Sequence, residues 1–237
     1  MNPIRSLLNL FRSKPKVPTI PVPSQALPGI KPYLDFRATI RKLQAEIPKR
    51  YITSELLTEA NRIFGLIRQG TAVYEGENEV DFIVDTTIYE TFSGRRVIDL
   101  AWEEREKYFD PDDHSALDSM RRARSSALCV TGVSSKESVI ELYDLLVDCD
   151  LELVDIGLCE SIKIRGARNT TMFTRLLPFG ERYTTSGAVF IFEHPWNDLE
   201  GPYRELLAKI PEADESLRSR VAFFNLNRRM GMQMKMM

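Results

Sequence analysis

The stretch LELVDIGLCESIKIRGARNTTMFTRLLPFGERYTTSGAVFIFE, residues 151–193, contains four short runs that are rich in apolar residues. These runs predict strands at 151–156, 159–165, 171–177 and 187–193. Because strands and helices do not alternate regularly along the chain, a doubly wound parallel sheet is not favoured. We therefore predict the fold class α+β: a single compact domain with an antiparallel sheet and several helices, preceded by a Pro-rich N-terminal arm.

Helices are predicted on both sides of this stretch. Residues 53–69 carry the clearest helical pattern, because apolar side chains from Leu56 to Ile67 recur on one face. Residues 79–91 instead alternate apolar and polar side chains, which predicts a strand and makes 79–100 a predicted β-hairpin. Further helices are predicted at 36–47, 101–109, 115–128, 135–149, 199–209 and 214–230.

Charge is sorted by position along the chain. Residues 1–50 carry ten lysines and arginines against two acids, and residues 216–237 carry five and no acid. The residues between them, 51–215, carry 17 basic and 32 acidic side chains. The net charge of −2 therefore hides two basic ends around an acidic body. Such ends attract an anionic membrane, a nucleic acid or the acidic body of a second copy.

Composition divides the chain into four predicted segments. A hydrophobic content of 43% and a charged content of 28% are ordinary globular values. The three cysteines lack metal-ligand spacing, which predicts reduced thiols in a cytosolic protein. No apolar run approaches the roughly 20 residues of a membrane-spanning helix. The segments are a basic amphipathic N-terminus (1–14), a Pro-rich tether (15–33), the α+β domain (34–230) and a Met-rich flexible tail (231–237).

The N-terminal segment combines an apolar stripe with basic side chains. Its apolar residues fall at i, i+3, i+4 and i+7, on one side of a short helix. Ten residues are too few for a stable helix in water, so we expect order only against a bilayer, a partner groove or its own domain. Each Lys or Arg near an anionic bilayer contributes about 1 kcal/mol. The predicted membrane-binding residues are Ile4, Arg5, Leu7, Leu8, Phe11, Arg12, Lys14 and Lys16.

Six prolines between Pro15 and Pro32 predict a stiff, extended tether, because the first three are spaced by one turn of polyproline II. The spacing from Arg12 also fits an SH3 ligand. Pro-Thr-Ile-Pro at 18–21 differs by one residue, isoleucine for alanine, from the Pro-Thr/Ser-Ala-Pro late-domain peptide of viral budding proteins. The alternative is a plain spacer. The predicted partner-peptide residues are Pro15, Pro18, Thr19 and Pro21.

Two groups of residues are the candidates for catalysis. The cluster Asp110-Pro111-Asp112-Asp113-His114 either holds a hard cation or caps the predicted helix that follows it. Cys159 with His194 is either a nucleophile and its base or, in the alternative, Cys159 is an inert, partly buried thiol. No phosphate-binding loop, nucleophile elbow or zinc motif accompanies them. We therefore predict no catalytic residue, no metal ligand and no cofactor.

Arginines form a predicted basic patch within the acidic body. Arg121, Arg122 and Arg124 fall on the predicted helix 115–128, and Arg228 and Arg229 fall near the end of the predicted helix 214–230. The guanidinium fork matches the oxygens of phosphate, which favours an anionic partner. The alternative is a solvated or salt-bridged face.

Residues Met1–Lys16 and Pro15–Pro32 together resemble the layout of rhabdovirus-type matrix proteins, with a basic N-terminus and a Pro-rich arm before one α+β domain. The resemblance implies self-association beneath a membrane, contact with a ribonucleoprotein and no enzymatic activity. It also implies a cytoplasmic, peripheral location at the inner face of a membrane, and a place in the virion if the protein is viral.

Two hypotheses about function follow. The first is a non-enzymatic structural or adaptor protein that self-associates and contacts an anionic membrane surface, with a ribonucleoprotein or an SH3 or late-domain-type host protein as a further partner. The second is a small cytosolic enzyme or ligand-binding domain that uses the Asp110–His114 cluster or Cys159. A deep pocket around those side chains would favour the second hypothesis.

Overall fold

The computed structural model describes residues 30–134, 138–165, 170–212 and 214–231. The chain separates into two compact units, with the boundary between Arg121 and Arg122. The first unit is mainly helical and the second contains a β-barrel, and each is described here by itself. Within the described ranges, no helix is both long enough and apolar enough to span a bilayer.

The described part of the first unit contains six helices, a 3₁₀ turn and a small hairpin. In chain order these are α1 (Ile30–Tyr51), α2 (Ser54–Ile63), β1 (Ile67–Arg68), β2 (Thr71–Ala72), α3 (Glu77–Tyr89), α4 (Val97–Glu103), α5 (Arg105–Tyr108), the 3₁₀ turn (Pro111–Asp113) and α6 (His114–Arg121). Gln69 and Gly70 join β1 to β2 with φ values of 50° and 79°. Positive φ at both positions is what a type I′ hairpin turn requires.

Helix α1 is amphipathic and supplies one side of this unit's core. Its buried residues Ile40, Leu43 and Ile47 are spaced by three and four, so they lie on one face. The helix contacts α4 and α6, whose residues Ile98 and Leu117 are fully buried. The opposite face of α1 is consequently left toward solvent.

The second unit is built on five strands and three helices within its described residues. They are β3 (Arg124–Ser134), β4 (Val139–Asp144), β5 (Cys149–Val154), α7 (Ile156–Arg165), β6 (Thr171–Phe179), β7 (Arg182–Phe192), α8 (Trp196–Ala208) and α9 (Glu215–Met230). The strands form a closed barrel in the order β3-β4-β5-β7-β6. All neighbours are antiparallel except β5 and β7, which run parallel. Together with a helix between the third and fourth strands, this order is the topology of OB-fold barrels.

Strand β3 closes the barrel because it pairs on both of its edges. Its first half pairs with β6, from Arg124 to Cys129, and its second half pairs with β4, from Leu128 to Ser134. A bulge between Val130 and Gly132 bends the strand between these two partners. A Cβ atom at Gly132 would lie 2.3 Å from a carboxylate oxygen of Glu141, so the missing side chain leaves room for this carboxylate beside β3.

Helix α7 covers the core of the barrel. Asp155 begins it by accepting a hydrogen bond of 3.0 Å from the Leu158 backbone N–H, and its other oxygen accepts one of 2.9 Å from the Thr185 hydroxyl. The buried core of the barrel contains the α7 residues Leu158, Cys159 and Ile162 together with Leu128, Ile140, Leu142, Leu153, Met172 and Leu176.

Helices α8 and α9 pack on each other, and α9 also contacts β7. Phe223 of α9 lies at the centre of this packing, with its ring 4.0 Å from that of Phe173 and 4.5 Å from that of Tyr203, both stacked. The nearly fully buried Arg220 of α9 donates a 2.8 Å hydrogen bond to the Ser125 hydroxyl on β3.

The predicted single domain around an antiparallel sheet is wrong. The five strands close into a barrel with one parallel pair, and the chain divides into two compact units. The class α+β remains correct at the coarser level, because the helices of the first unit precede a β-barrel rather than alternating with its strands. Closure depends on the pairing of β3 with β6, which joins segments about fifty residues apart, and no local pattern records that pairing.

The predicted strand at 79–91 is wrong, because its residues 79–89 lie in helix α3, and the predicted hairpin at 79–100 is therefore also wrong. Thr86 and Thr87 donate hydrogen bonds of 2.7 and 2.8 Å to the carbonyls of Phe82 and Ile83, four residues earlier. Burial extends over both the apolar and the polar positions of this helix. An alternating pattern within a helix that is buried on most sides was therefore mistaken for a half-buried strand.

Three further elements of the barrel unit differ from their predictions. Residues 139–154 form the hairpin of β4 and β5 instead of a helix at 135–149. The predicted strand at 159–165 is part of α7, because Asp155 caps a helix there. The predicted helix 115–128 ends at Arg121, and β3 begins at Arg124, because the chain pairs with β6 from that point.

Candidate functional site

The solvent-exposed face of α1 is basic. Lys31, Arg41 and Lys49 are exposed, and none of them forms an ion pair with a residue that the structure describes. At 3.6 residues per turn these three cations fall within an arc of about 80° around the helix axis. Asp35 is an exposed acid on the same helix. The face therefore presents three cations that the described part of the protein leaves unneutralised.

The other two exposed cations of α1 have partners. The guanidinium of Arg50 lies 3.9 Å from the centre of the Tyr108 ring. The ammonium of Lys42 donates hydrogen bonds of 2.7 Å to Asp110 and 2.8 Å to Asp113. Hydrogen bonds to these two carboxylates raise the pKa of Lys42, and the hydrogen bond from Lys42 lowers the pKa of Asp110.

The Asp110–His114 cluster is therefore occupied by a lysine. Asp113 is nearly buried, and Asp112 is exposed. Asp110 makes no side-chain capping hydrogen bond to the 3₁₀ turn, and two of the three carboxylates bind Lys42. No group of three or more His, Cys, Asp or Glu side chains arranged to hold a metal occurs among the described residues.

Cys159 lies fully buried on α7, within the core of the barrel. Burial raises the pKa of its thiol, which disfavours the nucleophilic thiolate. The carbonyl oxygen of His194 accepts a 2.9 Å hydrogen bond from the Thr171 hydroxyl, and no hydrogen bond joins its side chain to Cys159 in the described structure. Cys159 is thus fully buried, where the sequence analysis predicted a partly buried thiol as the alternative to a nucleophile.

An open depression of about 430 Å³ lies along α2. Its lining residues are Ser54, Glu55, Thr58, Glu59 and Arg62. None of the candidate catalytic side chains lines it. The depression therefore gives no support to the enzyme hypothesis.

The predicted basic patch does not lie on one helix. Arg121 ends α6, where it contacts Asp118 at 3.4 Å and lies over the Trp102 ring. Arg122 follows α6, and Arg124 opens β3, where its guanidinium binds the Asp144 carboxylate at 2.6 Å.

The C-terminal arginines of the patch lie on α9. Arg228 lies over the Phe224 ring, with 4.9 Å from its guanidinium carbon to the ring centre, and Arg229 is exposed. The hydrogen bond from Lys209 lowers the pKa of Glu205, and the positive charge of Arg229 lowers it further by a smaller amount. Phosphate binding by these arginines stays a prediction.

The predicted membrane-binding residues and the predicted partner-peptide residues all lie outside the described ranges. The same holds for most of the Met-rich tail. They therefore remain predictions. Of the basic first fifty residues, the structure describes residues 30–50, which include the basic face of α1.

A surface that the sequence analysis missed lies on the hairpin of β4 and β5. We call it the acidic hairpin: strands β4 and β5 with their turn, and the exposed carboxylates Glu141, Asp148, Asp150 and Glu152. Glu141 lies directly opposite Glu152, and Tyr143 lies directly opposite Asp150. A signal was present in the sequence, because residues 137–162 contain eight acids and no lysine or arginine.

A buried carboxylate holds the turn of the acidic hairpin. Asp144 is fully buried and accepts hydrogen bonds from the backbone N–H groups of Leu146 and Val147, at 3.0 and 3.2 Å. It also accepts hydrogen bonds from Arg124 and from the Ser126 hydroxyl. The turn is thereby ordered with Leu146 and Val147 exposed to solvent, at 43% and 56% of their surface.

Comparison with known proteins identifies a family for this chain but assigns no activity to it. No curated protein and no solved structure matches the chain. A family model matches residues 29–237, a range that contains every residue the structure describes. The chain belongs to DUF7986, a family of unknown function.

Proposed function

We propose that this protein is a non-enzymatic structural or adaptor protein that self-associates and contacts an anionic membrane surface through its basic N-terminal part. The observation that carries the proposal is the exposed face of α1, with Lys31, Arg41 and Lys49 unpaired among the described residues. This face continues the basic character of the first 29 residues. Each cation close to an anionic bilayer contributes about 1 kcal/mol of attraction.

The proposed location is the inner face of a membrane in the cytoplasm. A viral matrix role, with a place in the virion, follows from the resemblance of residues 1–32 to rhabdovirus-type matrix proteins. An SH3 or late-domain-type host partner would bind the Pro-rich tether. These finer points belong to the proposal and rest on the sequence.

The barrel topology alone would favour a different class of partner. OB-fold barrels bind oligonucleotides on the face of their second and third strands, but a fold by itself does not assign a function. In this chain that face is the acidic hairpin, where Glu141, Asp150 and Glu152 would repel phosphate groups. A ribonucleoprotein partner is therefore proposed to be contacted elsewhere than on this face.

The enzyme hypothesis is the weaker one. Lys42 occupies two carboxylates of the Asp110–His114 cluster, and Cys159 is fully buried with a raised pKa. A buried thiol in apolar surroundings is typically inert. Both observations favour a protein that acts by binding partners at its surface rather than by catalysis.

The test is co-sedimentation of the full chain with vesicles of phosphatidylcholine containing phosphatidylserine, at low salt. The test variant changes Lys31, Arg41 and Lys49 to Gln. The matched control changes Arg182, Arg204 and Lys209 to Gln, three cations that are each paired with a glutamate. Both variants lose three positive charges.

The test variant should bind the anionic vesicles about 100-fold more weakly, from about 1 kcal/mol per cation, while the control stays near the unmodified protein. Vesicles of phosphatidylcholine alone should bind neither. Equal binding by the test and control variants would contradict the role of α1.

The N-terminal segment is tested separately. Changing Leu7 and Phe11 to Ser removes apolar area that would insert into the bilayer, at roughly 1.5–3 kcal/mol per large side chain for full insertion. We expect weaker binding to the same anionic vesicles. Unchanged binding in this variant and in the α1 variant together would end the membrane proposal.

A further inference from the structure

The outer face of the acidic hairpin carries like charges directly opposite each other. Glu141 and Glu152 form one cross-strand pair, an arrangement that disfavours the sheet when no cation intervenes. Glu152 is paired with Arg182 at 2.6 Å. Glu141 and Asp150 form no ion pair with any described residue. The outer face of the acidic hairpin therefore carries two carboxylates, Glu141 and Asp150, that no described cation neutralises.

The turn of the same hairpin presents apolar surface to solvent. Leu146 and Val147 are two of the three large apolar side chains that are exposed in the described part of the chain. The hydrogen bonds from their backbone N–H groups to Asp144 hold them there. Apolar side chains next to carboxylates match a polypeptide that is both apolar and basic, and they match neither a metal ion nor a nucleic acid.

We propose that the acidic hairpin is the docking surface for residues 4–16 of a second copy of this chain. In copies whose segment is not inserted in a bilayer, its apolar stripe would contact Leu146 and Val147, and its basic side chains Arg12, Lys14 and Lys16 would lie against the carboxylates. This inference rests on the proposed function, because it names the surface that self-association uses. Charge complementarity between the two segments is its main support.

The Pro-rich tether favours a second copy over docking on the same molecule. Polyproline II rises about 3.1 Å per residue, so the roughly 13 residues between the segment and Ile30, where α1 begins, would reach about 40 Å in that form. A stiff tether of this kind would hold the segment away from the domain that follows it. A contact from the end of one copy to the hairpin of the next need not close, so it can propagate.

The first test measures the association of the full chain without lipid, by sedimentation velocity at low and at physiological salt. The test variant changes Glu141 to Gln and Asp150 to Asn. The control changes Glu200 and Glu205 to Gln, two carboxylates on α8 that are paired with Arg204 and Lys209. Both variants lose two negative charges. We expect the dissociation constant of the test variant to rise about tenfold or more, and that of the control to stay unchanged.

The second test exchanges the charges. One variant carries Arg12→Glu, Lys14→Glu and Lys16→Glu, and the other carries Glu141→Lys, Asp150→Lys and Glu152→Lys. Each should be monomeric alone, because like charges then face each other. An equimolar mixture should associate again, because the reversed segment of one copy complements the reversed hairpin of the other. Far-ultraviolet circular dichroism checks that both variants are folded.

A mixture of folded variants that stays monomeric would overturn the proposal. So would an unmodified chain that is monomeric at low salt, which is the expected result if the segment docks on its own hairpin or elsewhere. The vesicle assay and the association tests give independent results, because the Glu141→Gln, Asp150→Asn variant keeps every cation of α1. Loss of membrane binding with intact charge exchange would remove the membrane function and leave the docking surface standing.

Discussion

The two units of this protein show opposite ways of handling charge. In the helical unit, the carboxylates of Asp110 and Asp113 share the single cation of Lys42, while the cations on the exposed basic face of α1 form no ion pair with a residue that the structure describes. In the barrel unit, Asp144 is buried and fully hydrogen bonded, while carboxylates on the outer face of the hairpin remain exposed. A net charge near zero thus conceals two surfaces of opposite sign, each built on a rigid element.

The largest expected effect tests whether the barrel unit depends on its aromatic packing. Changing Phe223 to Ala removes a fully buried ring that stacks on Phe173 and Tyr203, so we expect a loss of about 3–5 kcal/mol in the free energy of unfolding. Urea denaturation would be followed by the fluorescence of Trp196, in a chain where Trp102 is replaced by Phe.

The matched change in the helical unit is Phe82 to Ala. Phe82 is also fully buried and packs edge-on against Phe64. Trp102 reports on this unit when Trp196 is replaced by Phe, because the chain has two tryptophans and one lies in each unit. A shift below about 1 kcal/mol for Phe223→Ala would contradict its central place in the barrel unit.

The second prediction separates buried from exposed carboxylates on the hairpin. Changing Asp144 to Asn removes the charge that four donors share, and we expect a loss of about 2–3 kcal/mol, as for hydrogen bonds to charged groups. Changing the exposed Glu141 to Gln should alter stability by less than about 0.5 kcal/mol. Both are read by urea denaturation. Equal losses in the two variants would contradict the distinction.

The third prediction compares one helix cap in each unit. Asp214 accepts a 2.8 Å hydrogen bond from the Leu217 N–H at the start of α9, and Thr53 accepts one of 3.2 Å from the Leu56 N–H at the start of α2. Changing either to Ala should cost about 1 kcal/mol, seen through the tryptophan of the same unit. Asp214→Ser should recover most of the loss, and a failure to recover would indicate that the side chain does more than cap.

The smallest expected effect concerns acid. The hydrogen bond from Lys42 lowers the pKa of Asp110, so the folded chain holds this carboxylate ionised at a pH where the unfolded chain has begun to protonate it. Its contribution to stability is present above the unfolded pKa, near 3.9, and is lost as pH falls through the lower folded value. Lys42 is charged throughout this range, and its hydrogen bonds to Asp110 and Asp113 raise its pKa still further above it.

Thermal unfolding midpoints between about pH 6 and about pH 3 measure this effect. The part of the decrease that depends on Asp110 should be smaller in a Lys42→Met variant, because its carboxyl pKa then returns toward the ordinary value. An identical pH dependence in both proteins would contradict the pairing. The effect is small because both groups are largely exposed.

Elements with strong local signals were predicted in part, since the helix predicted at 53–69 ends at Ile63 and is followed by strand β1 at Ile67–Arg68. The helix predicted at 214–230 is confirmed as α9, which has Asp214 as its cap and a buried apolar face. The strands predicted at 171–177 and 187–193 are confirmed within β6 and β7. The errors fall where burial is nearly complete, as in α3, or where the pairing partner decides the structure, as in the acidic hairpin.

The candidate site was predicted only in part. Charge counting placed the basic character in the first fifty residues, and the structure locates part of it on one face of α1. The pairing of Lys42 with Asp110 and Asp113 joins residues 68 and 71 positions apart, which no local pattern could indicate. The acidic hairpin was overlooked because residues 135–149 were taken for a helix, whose period does not align Glu141 with Glu152.

The amino-acid sequence alone determines where the charges lie along this chain, because the basic ends and the acidic stretch 137–162 are read directly from the order of the residues. Local capping and periodicity also dictate the helices with strong signals, such as α9. The closure of the barrel, the parallel pairing of β5 with β7 and the choice of which carboxylates are buried are set by tertiary structure. The physical reason is that backbone hydrogen bonds between distant segments, and the burial that follows from them, depend on register across the whole fold.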